Sequence, residues 1–212
     1  MVSALLWAAG WPSPPGPAPA GPASPPPSAA TTAFLTGWRA HLSSSWSVDQ
    51  VVERRADSGA TLSFAVHEAQ RPPDSVRVGL GTVSARQGST QLACGPTRGS
   101  QTVCRRLPAP TTWAATVDSQ LAALAALVEG PSAVYRVTTD RAGCFMLALV
   151  VPPAQVPVSL ERAATYCLDP ASGALLSARI QRDGATDVTT TTAHHAPAVD
   201  ADLALPAGVV IG

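Results

Sequence analysis

The stretch "GALLSARIQRDGATDVTTTTAHH" (residues 173–195) contains two strand-like runs, one on each side of Asp183-Gly184. An Asp-Gly pair in this position is typical of a two-residue β-hairpin turn, because both residues tolerate the positive φ that the turn requires. The run Thr189–Thr192 has the composition of an exposed strand. The stretch therefore predicts an antiparallel pair, and it makes an antiparallel sheet the hypothesis for the rest of the chain.

Alternation of apolar and polar residues predicts further strands on both sides of this hairpin. They are "WSVDQVVERR", "TLSFAVHEAQ", "SVRVGLGTVSAR", "STQLAC", "SAVYRVTT", "GCFMLALVV" and "RAATYCLD". Within the third of these, Gly79-Leu80-Gly81 indicates a bulge or a close backbone approach. The run from Asp169 to Gly173 predicts a turn. The closing "DADLALPAG" is expected to pair or pack at the edge of the sheet.

Two segments have helical rather than strand-like spacing. The first, "TTAFLTGWRAHLSSSW", predicts a short amphipathic helix that starts near Thr31, with Phe34 and Trp38 on its apolar side. The second, "TTWAATVDSQLAALAALVEG", predicts a longer helix with a Leu-rich stripe, ended by Gly130 and Pro131. Helices together with consecutive antiparallel strands define an α+β fold class.

Composition and charge restrict the possible partners. The formal net charge is zero, and all fourteen basic residues are arginine. Nucleic-acid binding rests on clustered positive charge, so the sequence predicts no nucleic-acid partner. Aromatic residues make up only 5% of the chain, and the core is expected to consist of Ala, Val and Leu.

The four cysteines are even in number and widely spaced, without a C-x-x-C motif. We expect two disulfides, Cys94 with Cys104 around a small loop and Cys144 with Cys167 between neighbouring strands. Disulfides imply an oxidising compartment. Buried free thiols and a catalytic thiol are the alternatives.

The N-terminal region divides into two predicted segments before a folded domain at 31–212. Residues 1–11, "MVSALLWAAGW", are apolar but too short to span a bilayer. They are interpreted either as the end of a membrane anchor that starts upstream or as a weak export signal, although they have no basic n-region or clear cleavage site. Residues 12–30 form a Pro/Ala-rich linker, either an extended spacer or a tail without a role.

The sequence contains no motif for catalysis, metal binding or a cofactor. It has no G-x-S-x-G elbow, P-loop or G-x-G-x-x-G fingerprint. The four histidines, His41, His67, His194 and His195, are interpreted as surface residues and not as metal ligands. We therefore predict no catalytic residues, no metal, no cofactor and no enzymatic activity.

Three ordered segments resemble the lipoprotein-carrier (LolA-like) superfamily, which includes LppX/LprG-type lipid-binding lipoproteins and RseB-type sensor domains. They are "HEAQRPPDSVRVGLG", "YCLDPASGALLSARIQRDGATDVTTTT" and "DADLALPAG", at residues 67–81, 166–192 and 200–208. The resemblance implies a curved antiparallel sheet (an incomplete β-barrel) with helices packed on its concave face. It also implies a space between sheet and helices that holds acyl chains or lipoprotein lipids. This chain differs in having no lipidation cysteine and few aromatic residues, which fits a small pocket.

The sequence thus predicts a non-enzymatic extracytoplasmic domain, membrane-anchored through its N-terminal segment or secreted, that binds a lipid, a lipoprotein or another apolar ligand. The candidate lining residues share an apolar side chain on a predicted inward position; they are Leu62, Phe64, Val66, Val78, Leu80, Leu121, Leu124 and Val137. The same residues could instead fill a dry core. Two other functions stay open: an envelope sensor or scaffold that binds a protein partner, and a secreted hydrolase.

Overall fold

The computed structural model describes residues 27–95, 102–152 and 160–211. These residues form two helices, α1 (Ala29–Ser43) and α2 (Trp113–Val128), and twelve strands. The strands are β1 (Trp46–Ala56), β2 (Thr61–Arg71), β3 (Asp74–Gly79), β4 (Thr82–Gln87), β5 (Thr90–Cys94), β6 (Thr102–Pro108), β7 (Tyr135–Thr139), β8 (Phe145–Leu149), β9 (Ala163–Leu168), β10 (Leu175–Arg182), β11 (Ala185–His195) and β12 (Val209–Ile211).

All these strands belong to one curved, open sheet in the order β12-β6-β5-β4-β3-β2-β1-β11-β10-β9-β8-β7. Neighbouring strands are antiparallel, with the exception of β12, which runs parallel to β6. The predicted fold class, α+β with a curved antiparallel sheet and helices on one face, is confirmed.

The main core lies between the two helices and strands β7–β10. Phe34 of α1 is fully buried and contacts Trp38 and Phe145, with ring centroids 5.6 and 5.4 Å apart. From α2, Leu121 enters the same cluster, together with Ile180 from the sheet. We call the side of the sheet that carries Ile180 the helix face. Its burial explains why the stripes of both predicted helices are apolar.

A second core lies on the opposite side of the sheet, which we call the outer face, under strands β2–β6. Its buried members include Val76, Ala85 and Leu92, which are cross-strand neighbours. The chain covers this area with its C-terminal segment, residues 198–211, which packs Leu203 and Leu205 against the cluster. The expectation that "DADLALPAG" packs at the sheet edge is confirmed, and β12 pairs there with β6.

Strand β1 joins the two halves of the sheet. Its first three residues, Trp46, Ser47 and Val48, are 1%, 3% and 2% exposed. Successive residues of a strand point to opposite faces, so β1 is buried on both sides at this end. The Trp46 indole donates a hydrogen bond of 2.9 Å to the carbonyl of His41 at the end of α1. The start of β1 is therefore the place where the buried part of the helix face and the buried part of the outer face overlap.

Three expectations are corrected by the structure. The segment "SVRVGLGTVSAR" is two strands, β3 and β4, joined by a turn in which Leu80 has a φ of 49°. Strand β6, which contains Cys104, was not predicted, because its run "CRRLP" has no apolar alternation. The threonine run is exposed on one side only, since Thr189 is 2% exposed.

In place of the bulge or close backbone approach expected at Gly79-Leu80-Gly81, Gly79 pairs with Thr82 across a turn, and Gly79 lies close to a side chain of β2. A Cβ on Gly79 would lie 2.9 Å from Cγ2 of Val66 on the neighbouring strand. Only glycine fits here without a shift of that strand. The N-terminal helix begins at Ala29, two residues before the predicted start.

Both expected disulfides are present. Cys94 and Cys104 are direct cross-strand partners on β5 and β6, with Cα atoms 3.9 Å apart. The disulfide between Cys144 and Cys167 joins the residue just before β8 to the end of β9, with Cα atoms 4.3 Å apart. The described chain has no free cysteine. The anchor or signal predicted at 1–11 and most of the linker lie outside the described residues.

Candidate functional site

A concavity with a volume of about 610 Å3 lies between the two helices. Leu35 and Thr36 of α1 line one wall, and Leu121, Ala122 and Ala125 of α2 line the other. The contact between Arg39 late in α1 and Asp118 early in α2 shows that the helices are antiparallel. We call this concavity the inter-helix groove.

The local sequence explains both helices and the gap between them. Ser28 and Thr112 cap the helix N-termini, where their side-chain oxygens accept from the amides of Thr31 and Ala115. Alanines on the flank of α2 leave space beside α1 that larger side chains would fill. The groove therefore exists because α2 directs its larger side chains to the sheet and smaller ones to its neighbour.

The two ends of the groove differ in charge. At one end Arg39 lies 3.4 Å from Asp118, and the two side chains are 60% and 70% exposed. An exposed ion pair of this kind contributes little to stability. At the other end the groove is lined by Pro27 and the acidic Glu129. The middle is apolar, with hydroxyl groups from Thr32 and Thr36 at the rim.

The structure does not bring the eight predicted lining residues together. Leu121, Leu124 and Val137 share the main core between helices and sheet. Val78 packs against the second core on the outer face. Leu80 is 42% exposed in the turn after β3.

The remaining three predicted residues lie on β2, on the helix face. Val66 is 2% exposed, Phe64 is half-buried and Leu62 is 47% exposed. Of all eight, Leu121 alone also lines the inter-helix groove. The other groove residues were not predicted. Their signal in the sequence is the alternation of alanine with the leucine stripe of α2.

The helix face also has a buried ionic cluster at the β1–β11 junction. The Arg54 guanidinium donates two hydrogen bonds, of 2.6 and 2.7 Å, to the Asp187 carboxylate, which is 1% exposed. Arg182 lies 3.4 Å from the same carboxylate. Burial raises the pKa of Asp187, but the hydrogen bonds and positive charges of Arg54 and Arg182 together outweigh it and hold that pKa below its ordinary value. The cluster ties β1, β10 and β11 together.

A serine, a histidine and an aspartate meet at the β9–β10 turn. The Ser172 hydroxyl donates to Asp169 at 2.6 Å, and the His194 Nε2 lies 3.2 Å from the same hydroxyl. In a hydrolase triad the carboxylate orients the histidine through its far nitrogen. Here the carboxylate accepts from the serine hydroxyl and from the Ser172 amide, and Ser172 is 5% exposed. The cluster therefore stabilises the turn.

Two of the four histidines, His41 and His67, are more buried than the sequence suggested, whereas His195 is exposed as expected. His41 stacks on Trp46, and its Nδ1 lies 2.9 Å from the carbonyl oxygen of Gly173. Burial lowers the pKa of His41. His67 lies between Asp49 and the carbonyl of Asp202. Within the described ranges, no group of three or more His, Cys, Asp or Glu residues is arranged to hold a metal ion.

An exposed apolar area remains on the helix face of the first half of the sheet. Val103 and Val210 are cross-strand partners on β6 and β12, and they are 55% and 45% exposed. Leu107, on the same face of β6, is 49% exposed.

In the part of the chain that the structure describes, neither helix combines the length and apolar character needed to cross a membrane.

The fold and these surfaces describe an α+β domain with an open sheet and two helices on one face. No family model and no curated protein matches this chain. Among solved structures, it is similar to the MucA/MucB complex of Pseudomonas aeruginosa, with 13% identity and a TM-score of 0.48. That match covers 85% of this chain, which spans 62% of the length of the matched chain.

Two other similar structures are lipoprotein LppX of Mycobacterium tuberculosis and a LolA superfamily protein of Nitrosomonas europaea. LppX is 16% identical with a TM-score of 0.38, and the match covers 79% of this chain and 98% of LppX. The LolA superfamily protein is 9% identical with a TM-score of 0.34, and the match covers 84% and 99%. No residue role or activity is taken from these proteins.

Proposed function

We propose that this chain is a non-enzymatic, extracytoplasmic binding domain that holds one apolar ligand, such as a lipid acyl chain, in the inter-helix groove. The observation that carries the proposal is the groove of about 610 Å3 with an apolar floor between two capped helices. Two disulfides support an oxidising compartment. Attachment to a membrane through residues 1–11 is part of the proposal and rests on the sequence alone.

The groove differs from the space implied by the sequence resemblance. Between α2 and the sheet the described side chains pack directly, with Phe34, Leu121 and Ile180 in one cluster. The groove lies instead between α1 and α2, where Leu121 of that cluster forms part of its lining. Each methylene group transferred from water into such a site gains about 0.8 kcal/mol. A few buried methylenes therefore give measurable affinity.

The test is a titration of the full chain with dansyl-labelled undecanoic acid. In Ala122→Trp a large indole occupies the groove, and we expect the dissociation constant to rise about tenfold, the equivalent of roughly two methylenes lost. The matched control is Ala126→Trp, because Ala126 is equally exposed on the same helix but does not line the groove. The control should change the constant less than about twofold.

Absence of saturable binding to the unmodified chain would reject the groove as a ligand site. If both tryptophan variants raised the dissociation constant equally, the probe would bind elsewhere on the surface. Rejection would favour the second candidate, a scaffold that binds a protein partner. That candidate has in its favour the exposed apolar area formed by Val103, Leu107 and Val210.

A further inference from the structure

We propose that His67 is a pH-dependent latch for the C-terminal segment, residues 198–211, and holds that segment on the outer face more firmly while its imidazole is doubly protonated. The proposal is independent of the ligand in the inter-helix groove, because it concerns the opposite side of the sheet.

The geometry around His67 requires two donors. Nδ1 lies 2.8 Å from a carboxylate oxygen of Asp49 on β1, and Nε2 lies 2.7 Å from the carbonyl oxygen of Asp202 in the C-terminal segment. Both partners are acceptors, whereas a neutral imidazole has one N–H and one lone pair. Only the imidazolium form satisfies both hydrogen bonds. A neutral ring would place a lone pair against an oxygen at one of the two positions.

The charged groups around His67 favour its protonation. Asp49 faces it from β1, and Asp202 faces it from the C-terminal segment. On β11, Nδ1 of His195 lies 3.7 Å from the Asp202 carboxylate. On β3 the cross-strand neighbour of His67 is the apolar Val78. Burial lowers the pKa of His67, but the two hydrogen bonds and the two aspartates outweigh it and raise that pKa.

The segment held by this latch covers the second core. It packs Leu203 and Leu205 over the outer-face cluster, and Gly208 accepts a hydrogen bond of 3.0 Å from the amide of Thr102. A second attachment joins Arg71 to Asp200 at 2.7 Å, with side chains that are 45% and 91% exposed. Two histidines contact the segment at Asp202, and His67 is the nearer, at 2.7 Å from the carbonyl against 3.7 Å from the carboxylate for His195. His67 is therefore the histidine on which the proposal rests.

The direction of the pH effect follows from linkage. A histidine whose pKa is raised by folding contributes its full stabilisation below its ordinary pKa of about 6.5, and loses it as the pH rises through the raised value. The segment should thus be held firmly at pH 6 and loosely at pH 9. On release, the apolar outer face of β2–β6 is exposed to solvent.

The test is nuclear magnetic resonance of the full chain, with the His67 ring titrated and amide exchange measured at pH 6 and pH 9. Protection factors correct for the direct effect of pH on exchange. For the Thr102 and Val199 amides, which bond to Gly208 and Asp202, protection should fall roughly five- to tenfold from pH 6 to pH 9. The Glu129 amide at the end of α2 is the internal reference and should keep its protection.

The decisive variant is Asp49→Asn. An asparagine amide can donate to the bare nitrogen of neutral His67, so the latch then holds at both pH values. We expect the His67 pKa to fall and the pH dependence of the Thr102 protection factor to disappear. His195→Gln is the matched control and should keep the wild-type pH dependence. The proposal would be overturned if the wild-type protection factors did not change between pH 6 and pH 9. It would also be overturned if Asp49→Asn lost as much protection over that range as the wild type.

Discussion

The two halves of the sheet bury opposite faces. Strands β7–β10 bury the helix face under two regular helices, whereas β2–β6 bury the outer face under the irregular C-terminal segment. The first cover is local helical structure, which has its backbone hydrogen bonds satisfied internally. The second depends on individual side-chain anchors such as His67 and Arg71. One sheet therefore combines a rigid cover with a releasable one.

The largest expected effect tests which half holds the main core. Phe34→Ala should lower the free energy of unfolding by about 3–5 kcal/mol, because it empties a fully buried site ringed by aromatic groups. Leu92→Ala, in the second core, should cost about 2–4 kcal/mol. Urea unfolding followed by tryptophan fluorescence gives both values. An equal or greater loss for Leu92→Ala would place the main core under the C-terminal segment.

The next effect tests the junction between the halves. Asp187→Asn should cost about 3 kcal/mol at neutral pH, because it leaves the Arg54 guanidinium without its buried charged partner. Asp183→Asn is the control. Its bond to Arg162 is at a hairpin tip where the Asp183 side chain is 52% exposed, and it should cost less than about 1 kcal/mol.

The Asp187 effect should also depend on pH. Its carboxyl pKa is lowered by folding, so its stabilisation is complete above its ordinary pKa of about 4 and is lost as the pH falls through the lowered value. Wild type and Asp187→Asn should therefore converge in stability at low pH. Unfolding curves that stay equally far apart from pH 7 to pH 2 would show that the cost is not electrostatic.

The last pair of variants separates the cost of a close contact from the cost of backbone strain, at two glycines with similar positive φ. A Cβ on Gly173 would lie 2.2 Å from the backbone nitrogen of His41, whereas a Cβ on Gly184 would meet nothing within 4 Å. Gly184→Ala should cost about 1 kcal/mol from conformation alone. Gly173→Ala should cost about 2 kcal/mol more, because α1 must move away from the turn. Similar thermal unfolding midpoints for both variants would contradict this close contact.

Local patterns in the sequence predicted much of the fold. Asp183-Gly184 marks a real hairpin, and the stripe of α2 ends within two residues of Gly130. Strand β6 was missed because its exposed side carries Arg105 and Leu107, and its buried side offers chiefly a cysteine. Its place in the sheet comes from pairing with β5, which a local pattern does not encode.

The candidate site was predicted far less well. The groove depends on how α1 packs beside α2, and its ion pair joins Arg39 to Asp118, 79 residues apart in the chain. The sequence shows which side of each helix is apolar, but not how far apart two helices lie. It also gave no sign that β2–β6 bury the opposite face, so Val78 was assigned to the ligand side.

The parallel pairing of β12 with β6 has a consequence for biosynthesis. Residues 209–211 pair with residues 102–104, so the strand that covers the edge of β6 is synthesised long after β6 itself. Until then the edge of β6 has unpaired peptide groups, and the apolar surface beneath the C-terminal segment is uncovered. Exposed strand edges recruit other strands. A nascent chain is therefore most prone to aggregate after β2–β6 have emerged and before residues 198–211 follow, when a holdase chaperone would protect it most.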